Sequence, residues 1–397
     1  MAEDEPRTVK DLLVEAKDAS ELMVDLAYAA VFFDDEDLAG EVEHLEERMD
    51  GNLRRLRRMA VLAARSPEDA ESIESVLWIA SAIETIGDAA SDIARVVEAK
   101  LGIPHALRPD LRHANEISGR VRVREDAPVI GQTLRQLSLP TETGMWLLAV
   151  RRGNQWEYDP GPDSVALEGD VLLFQGPEDG VNEIRSFAGA PPLPESDEAE
   201  APPLSELDRA VDILVEMKNS AEVAVGLAYS TLMFGDRALA AEVGAIEERS
   251  DHLHDELESW VLRAAHEARD PDELRGLLRI ASASEWICDA ARDMTWYIEH
   301  GEELHPVIQM ALEETEETSA ETVVHTGSEA DGKSLRELRL ETDTGMWVVA
   351  VQRGTRWIYR PRASFTFAAG DRAISIGPEE GEVPMATLFS DNAPGDP

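Results

Sequence analysis

The chain repeats itself at a fixed interval of 201 residues. Thr143-Gly144-Met145-Trp146 returns as Thr344-Gly345-Met346-Trp347, Leu26-Ala27-Tyr28 as Leu227-Ala228-Tyr229, and Glu46-Glu47-Arg48 as Glu247-Glu248-Arg249. Ile79-Ala80-Ser81 and Gly169-Asp170 keep the same offset in Ile280-Ala281-Ser282 and Gly370-Asp371, and only the loop around Pro67 and Pro271 slides. Such self-similarity marks a tandem duplication, so whatever one copy folds into, the other must fold into as well. Between the copies, Gly189 to Leu204 reads GAPPLPESDEAEAPPL, too polar and Pro-rich to bury a core; an extended linker is expected over 190–204.

Each copy changes period halfway. Leu12, Leu13, Ala16, Ala19, Leu22, Met23 and Leu26 follow helical spacing. Leu38, Val42, Leu45, Met49, Leu53 and Leu56 form a second stripe; Ile73, Leu77, Ala80, Ile83, Gly87 and Ala90 open a third, which runs to about Val97. Three long amphipathic helices with short connections predict an antiparallel bundle. The second half is strand-like. Arg120 to Val123 alternates, Met145 to Val150 is an apolar run closed by a turn at Arg151-Arg152-Gly153-Asn154, and Trp156–Tyr158 and Val171–Phe174 read as further strands. Gly131–Leu137 and Asp179–Phe187 read as short helices, completing a small α+β module. The fold class expected is therefore multi-domain α and α+β: a bundle at 7–103, a module at 114–189, a bundle at 205–303 and a module at 318–391.

Hydrophobic residues make up 43 % of the 397, enough for real cores. The net charge of −44 argues against nucleic acid or anionic lipid as a bulk electrostatic partner. Only five basic residues are Lys, the acidic, Lys-poor pattern of a halophile, in which most acids solvate the surface. The single Cys, Cys288, excludes a disulfide framework and a thiolate zinc site and reads as a small core residue. The acidic N-terminus lacks the pattern of a signal peptide, and no run of apolar residues is long enough for direct membrane insertion; a cytoplasmic protein is expected. No Ser-His-Asp set, Walker loop or Cys–His pair is present, so no enzymatic activity is expected.

Both halves resemble known families. Glu46-x-x-x-Asp50 with Glu84-x-x-x-Asp88, and Glu247-x-x-x-Asp251 with Glu285-x-x-x-Asp289, resemble the E(D)-x-x-x-D motifs of PhoU helical bundles. Gly131-Gln-Thr-Leu134, Gly144 to Val150, Arg152-Gly153 and Gly169-Asp170, with their second-copy counterparts Gly332 to Leu335, Gly345 to Val351, Arg353-Gly354 and Gly370-Asp371, resemble the RCK C-terminal or TrkA-C domain. The resemblance implies a regulator of potassium or other cation transport, acting on a membrane transporter or channel subunit in trans and so peripheral to the membrane. It implies a small anionic ligand, a cyclic dinucleotide among the candidates, with Ile130, Gly131, Arg151, Arg152 and Arg353 as contacts. The alternative is a PhoU-type metal-binding regulator of phosphate uptake. NAD is not expected, because no G-x-G-x-x-G follows a strand.

The carboxylates themselves allow two readings. Residues four apart share a helix face, and like charges there cost about 0.2–0.5 kcal/mol that a bridging cation would offset. Glu43, Glu74 and Asp34 become Gly244, Arg275 and Gly235, whereas Glu46, Asp50, Glu84, Asp88 and Asp92 stay acidic as Glu247, Asp251, Glu285, Asp289 and Asp293. Asp11, Glu15, Glu21 and Glu41 persist too, so a solvated face stays open beside a site for a hard cation, divalent or ferric. Glu41-x-x-His44 mimics half a di-iron site, but its counterpart ends in Ala245. His252 and His254, two apart, read as surface residues, and Trp146 and Trp347 as core anchors. Arg151, Arg152 and Arg353 read either as anion contacts or as a solvated turn. The α+β modules are expected to pair within the chain, as are the bundles, with further homo-oligomerisation open.

Overall fold

The structure is a computed structural model that describes residues 7–101, 117–176, 180–192, 206–265, 274–315 and 317–390, apart from 138, 140–142, 144, 154 and 159. Most of the expected linker and the loop around Pro271 lie outside the described residues. Alternate quarters of the chain build two compact units, 1–114 with 202–315 and 115–201 with 316–397.

In chain order, α1 (Val9–Phe33), α2 (Glu36–Ala63) and α3 (Pro67–Glu98) form the first bundle. The first module follows, with β1 (Ile117–Arg122), α4 (Leu134–Leu137), β2 (Trp146–Arg152), β3 (Gln155–Tyr158), β4 (Val171–Gly176) and α5 (Val181–Phe187). The second bundle is α6 (Glu206–Phe234), α7 (Arg237–Ala264) and α8 (Arg275–His300), trailed by a short α9 (Pro306–Leu312). The second module comprises β5 (Thr318–Val323), α10 (Leu335–Leu338), α11 (Leu340–Thr344), β6 (Trp347–Arg353), β7 (Arg356–Tyr359), β8 (Arg372–Gly377) and α12 (Glu379–Phe389).

The helices start where side chains can satisfy their free N–H groups. Thr8 accepts from Asp11 N in a capping box, Asp35 accepts from Asp37 N and Leu38 N, and Ser66 accepts from Asp69 N. Pro67 is the first residue of α3, where its missing N–H costs nothing, so the loop expected around it is already helix. Leu12, Met23, Leu38, Leu53, Ile83 and Ile93 are wholly buried, as the sequence stripes require.

The two bundles share one unit, as expected of tandem bundles. Across their seam Tyr28 Oη and Ser284 Oγ lie 2.8 Å apart, and Ser20 Oγ and Tyr229 Oη 3.2 Å apart. Arg279 donates to Asp92 at 2.7 Å; at the pseudo-equivalent place Trp78 Nε1 donates to the Asp293 carbonyl at 2.7 Å. The periodicity does not announce α9, which falls between the boundaries expected at 303 and 318. It packs on α1, and beside it Lys10 Nζ reaches Glu314 at 2.6 Å.

Each module is a four-stranded antiparallel sheet, ordered β1-β4-β2-β3 and β5-β8-β6-β7. One face carries a core that includes Val121, Leu172, Phe174 and Ile184 in the first module and Val348, Val351, Phe367 and Phe389 in the second. The opposite face is buried as well: Ala149, Leu173, Val349 and Ile374 have no exposed surface. Sheets covered on both faces read as continuous apolar runs, which is how Met145 to Val150 appears. The two modules belong to one compact unit, consistent with the expected intrachain pairing.

The repeated Thr-Gly-Met-Trp is structural. Thr143 and Thr344 donate to Leu139 O and Leu340 O and accept from Met145 N and Met346 N. Met145 and Met346, not the tryptophans, are the wholly buried core anchors. Trp146 and Trp347 are half-buried, and register with Gln175 and Ile376 puts them on the face away from that core. The expectation for the tryptophans was one residue out, because strand side chains alternate.

Candidate functional site

The ten predicted carboxylates lie on α2 and α3 in the first bundle and on α7 and α8 in the second, most of them along the groove between the two helices, while Asp92 reaches the seam with α8. Apolar neighbours on the same helices, such as Leu45 and Met49 or Ile287 and Ala291, face inward and hold the acids at the rim. The two grooves differ in which of their acids have a cation beside them.

In the first groove the acids have internal cations. Arg57 forms a two-pronged ion pair with Glu84, one contact being 2.9 Å. Arg54 lies 3.2 Å from Asp50, one turn back on its own helix. Asp92 takes Arg95 at 3.1 Å and Arg279 at 2.7 Å. Glu46 and Asp88 remain beside other acids. Burial pushes both carboxyls up; for Glu46 the neighbouring charges of Asp50 and Asp88 add to it, and for Asp88 those of Glu84 and Asp50.

In the second groove, Glu247, Asp251 and Asp289 each present an oxygen within 4.8 Å of the other two. Among the described residues this is the one place where three such ligand atoms converge. Burial, followed by Glu285, Glu247 and Asp251, pushes Asp289 up to about 6. Three carboxylate oxygens with water completing the shell fit a hard cation, and unrelieved repulsion is what such a cation would remove. One arm is already engaged, since Arg292 Nη1 lies 2.6 Å from Glu247. Glu285 pairs with His254, which also stands 3.7 Å from Glu258 and 3.3 Å from Ser282 Oγ. His254 is thus a partly buried link between α7 and α8 rather than a surface residue, whereas His252 is exposed as expected. Asp293 lies away from the cluster; its carboxyl is pushed up by burial and its carbonyl accepts from Trp78.

The alignment of the copies could have foretold this asymmetry. Arg54 and Arg57 correspond to Asp255 and Glu258, so the second groove lacks the cations of the first. Cys288 is buried, and burial pushes its thiol up to about 12, which leaves it inert.

In the modules two of the five ligand candidates, Arg152 and Arg353, are engaged by neighbouring carboxylates. Arg152 donates to both oxygens of Asp170, at 3.1 and 2.8 Å, and to Val165 O at 2.9 Å. Arg353 repeats this with Asp371, at 2.7 and 2.5 Å, and Thr366 O. Asp170 and Asp371 are buried in turns where Gly169 and Gly370 take φ of 86° and 89°, so both arginines are engaged in holding the fold. Arg151 lies on the sheet face away from the core, its guanidinium 5.3 Å from the Trp156 ring, with Arg120 at 5.7 Å from the same ring. Ile130 packs on the core face and donates to Ala127 O; Gly131, at φ 76°, donates to Ala166 O.

A model of the TrkA-C domain matches residues 119–189 and 320–382, and a model of the PhoU domain matches 13–97 and 214–296. Among solved structures, PhoU from Pseudomonas aeruginosa is 16 % identical, with 74 % of this chain and 96 % of that one covered at a TM-score of 0.40. The RCK_C domain dimer of S. agalactiae BusR in complex with c-di-AMP is 26 % identical over 18 % of this chain and 89 % of that one, at 0.18. The GsuK channel bound to NAD is 16 % identical over 70 % of this chain and 53 % of that one, also at 0.18. No curated protein matches the chain.

Proposed function

From the PhoU and TrkA-C domains that alternate along it, we propose that this chain is a non-enzymatic, ligand-sensing regulator of cation transport, with potassium the expected ion. The observation that carries the reading is the alternation of two PhoU bundles and two TrkA-C modules, each pair gathered into one unit. A pair of sensing modules tethered to a pair of helical bundles is suited to transmit a ligand's presence to a partner. No described helix is long and apolar enough to cross a membrane, so the partner would be a separate transporter or channel subunit, met at the cytoplasmic side. The ligand class is a small anion carrying an aromatic base. Arg120 and Arg151 over Trp156 offer cations for phosphate and an indole for stacking, which makes a cyclic dinucleotide the first compound to test. Thermal melts of the full chain with cyclic di-AMP, nucleotides, inorganic phosphate, K⁺ and divalent metals test it. A rise in Tm with a cyclic dinucleotide that Arg151→Ala abolishes supports the reading, and indifference to every anion counts against it.

A second reading, a metal-dependent PhoU-type regulator of phosphate uptake, is favoured by the convergence of Glu247, Asp251 and Asp289. Those residues would hold Mg²⁺, Mn²⁺, Ca²⁺ or ferric iron, and the bound ion would supply positive charge for a phosphate. Elemental analysis of chain prepared without chelator tests it.

A further inference from the structure

The difference in charge between the two copies continues from the grooves out to the C-terminal ends of α2 and α7. From Gly51 to Pro67 the chain carries Arg54, Arg55, Arg57, Arg58 and Arg65 and no acid, a basic island in a chain of net charge −44. At the aligned positions the second copy has Asp255, Glu256, Glu258 and Ser259 in place of the first four. Both helices then end on uncovered apolar side chains: Val61 and Leu62 are 64 % and 80 % exposed, and Leu262, aligned with Val61, is 70 % exposed.

These residues form continuous faces. Arg54, Arg58 and Val61 follow four- and three-residue steps on α2, as Asp255, Glu258 and Leu262 follow three- and four-residue steps on α7. The outer members are accessible: the Arg54 side chain is 66 % exposed, that of Glu258 is 55 % exposed, and Arg58, Asp255 and Glu256 are exposed. Arg57 is consumed by Glu84, and Arg209 and Arg263 stack on Trp260 at the far end of the acidic face. Beyond these pairs lie a basic, apolar-tipped face on one bundle, of Arg58 and Arg54 (which also meets Asp50), and an acidic, apolar-tipped face on the other, of Asp255 and Glu258 (which also stands 3.7 Å from His254).

We propose that these faces are a self-association surface, in which the α2 end of one chain docks on the α7 end of a second copy. Arg54 and Arg58 would face Asp255 and Glu258 while Val61 and Leu62 cover Leu262, an arrangement that requires the two helices to run parallel across the contact. The occupant follows from charge complementarity: the matching acidic, apolar-tipped surface is on this same chain. Each chain brings one face of each sign, so two chains together carry two complementary sets. Opposed charge sets register and partner choice, and the apolar tips add buried area.

Charge exchange in the full chain tests this. Sedimentation at low ionic strength should show wild type at twice the chain mass. Arg54→Glu with Arg58→Glu makes both faces acidic and should weaken association roughly a hundredfold; Asp255→Arg with Glu258→Arg makes both basic and should do the same. The two variants mixed in equal amounts, or all four changes in one chain, should restore the dimer, a recovery that misfolding could not produce. A wild type that stays monomeric, a dimer indifferent to all four changes, or failure of the mixture to recover overturns the proposal. So does a monomeric wild type that binds anionic vesicles through Arg54 and Arg58, which would assign the basic face to a lipid surface.

Discussion

In the first bundle Arg57 reaches across the groove to Glu84 and Arg54 screens Asp50; in the second, the aligned residues are Glu258 and Asp255, and three carboxylates converge with His254 at their edge. The buried Arg–Asp turn of the two α+β modules has not diverged in this way, although Arg120 and Arg151 of the first become Glu321 and Gln352 in the second. Arg152 holds Asp170 as Arg353 holds Asp371, with the same backbone carbonyl contact beneath each. The contrast separates two kinds of charged residue. A carboxylate buried in a turn is tied to its arginine, because losing the arginine strands the carboxylate out of water. A carboxylate at a groove rim can trade an internal cation for a solvent or metal cation, so that position is free to drift. The bundle cores show the same constraint in apolar form. Gly87 leaves room for Met49, and a Cβ there would lie 2.0 Å from the Met49 methyl; the second copy has Cys288 opposite Ser250, so the volume has been exchanged across the pair.

The largest effect should come from that pair. Met49→Ser should cost about 3–4 kcal/mol through the cavity it leaves, and Gly87→Cys about 1–3 kcal/mol through overpacking. The double variant, which writes the second bundle's solution into the first, should cost less than the sum by about 1 kcal/mol or more in urea titrations. Additive losses would show that the two bundles pack differently here.

Next, Arg152→Ala and Arg353→Ala should each cost about 3 kcal/mol, at the low end for a buried pair because each arginine is half exposed. Equal losses by chemical denaturation confirm the modules' equivalence, and a clear inequality breaks it.

The grooves should then differ in their response to metal. A divalent ion at a hundred times its Kd should add about 2.7 kcal/mol of stability. Asp289→Asn should abolish that gain, whereas Asp88→Asn, in the groove that holds its own arginines, should leave it intact. Equal sensitivity in both would mean that the arginines do not decide which groove takes the ion.

The pH response sharpens the same point. Asp289 titrates near 6 in the folded chain against an ordinary value of 3.8. The folded state therefore keeps a proton that the unfolded chain releases, so this group's contribution to stability is lost as pH rises from about 4 through 6. Metal-free melts should show that slope in wild type, and Asp289→Asn should flatten it. A slope of the opposite sign would sink the assignment of a repelled acid.

The smallest effect belongs to the seam. Tyr28→Phe should cost about 1 kcal/mol, because Ser284 keeps its bond to Ile280 O. A loss of several kcal/mol would mean that the hydroxyl supports more of the seam than this one bond.

Much of the fold was legible in periodicity. Three helical stripes, the continuous run at Met145 to Val150 and the duplicated motifs place the elements and their order, because a single repeat distance ties every assignment to a second one. Cys288 as an inert core residue was legible too. The candidate site was legible only in part. All ten acids lie along the expected helices, but which of them stand free depends on Arg54, Arg57, Arg292 and His254, whose reach across a groove no helical spacing reveals. Trp146 was placed one residue out because a run buried on both faces hides which side of the pleat each residue occupies. The aromatic contact of Trp78 with Trp296, whose ring centroids lie 6.0 Å apart, joins residues from different copies and leaves no mark in either.

By itself the sequence determined that this protein is built twice, with a helical half and a strand half in each copy, because hydrophobic period and internal repetition are properties of the chain alone. Only the tertiary structure decided that like halves of the two copies gather with each other, that the second groove rather than the first brings three carboxylates together, and that Arg152 and Arg353 are committed to the fold. Those outcomes turn on distances between residues far apart in the chain, where a guanidinium moved by a few ångströms decides which carboxylates keep a cation and which are left facing one another.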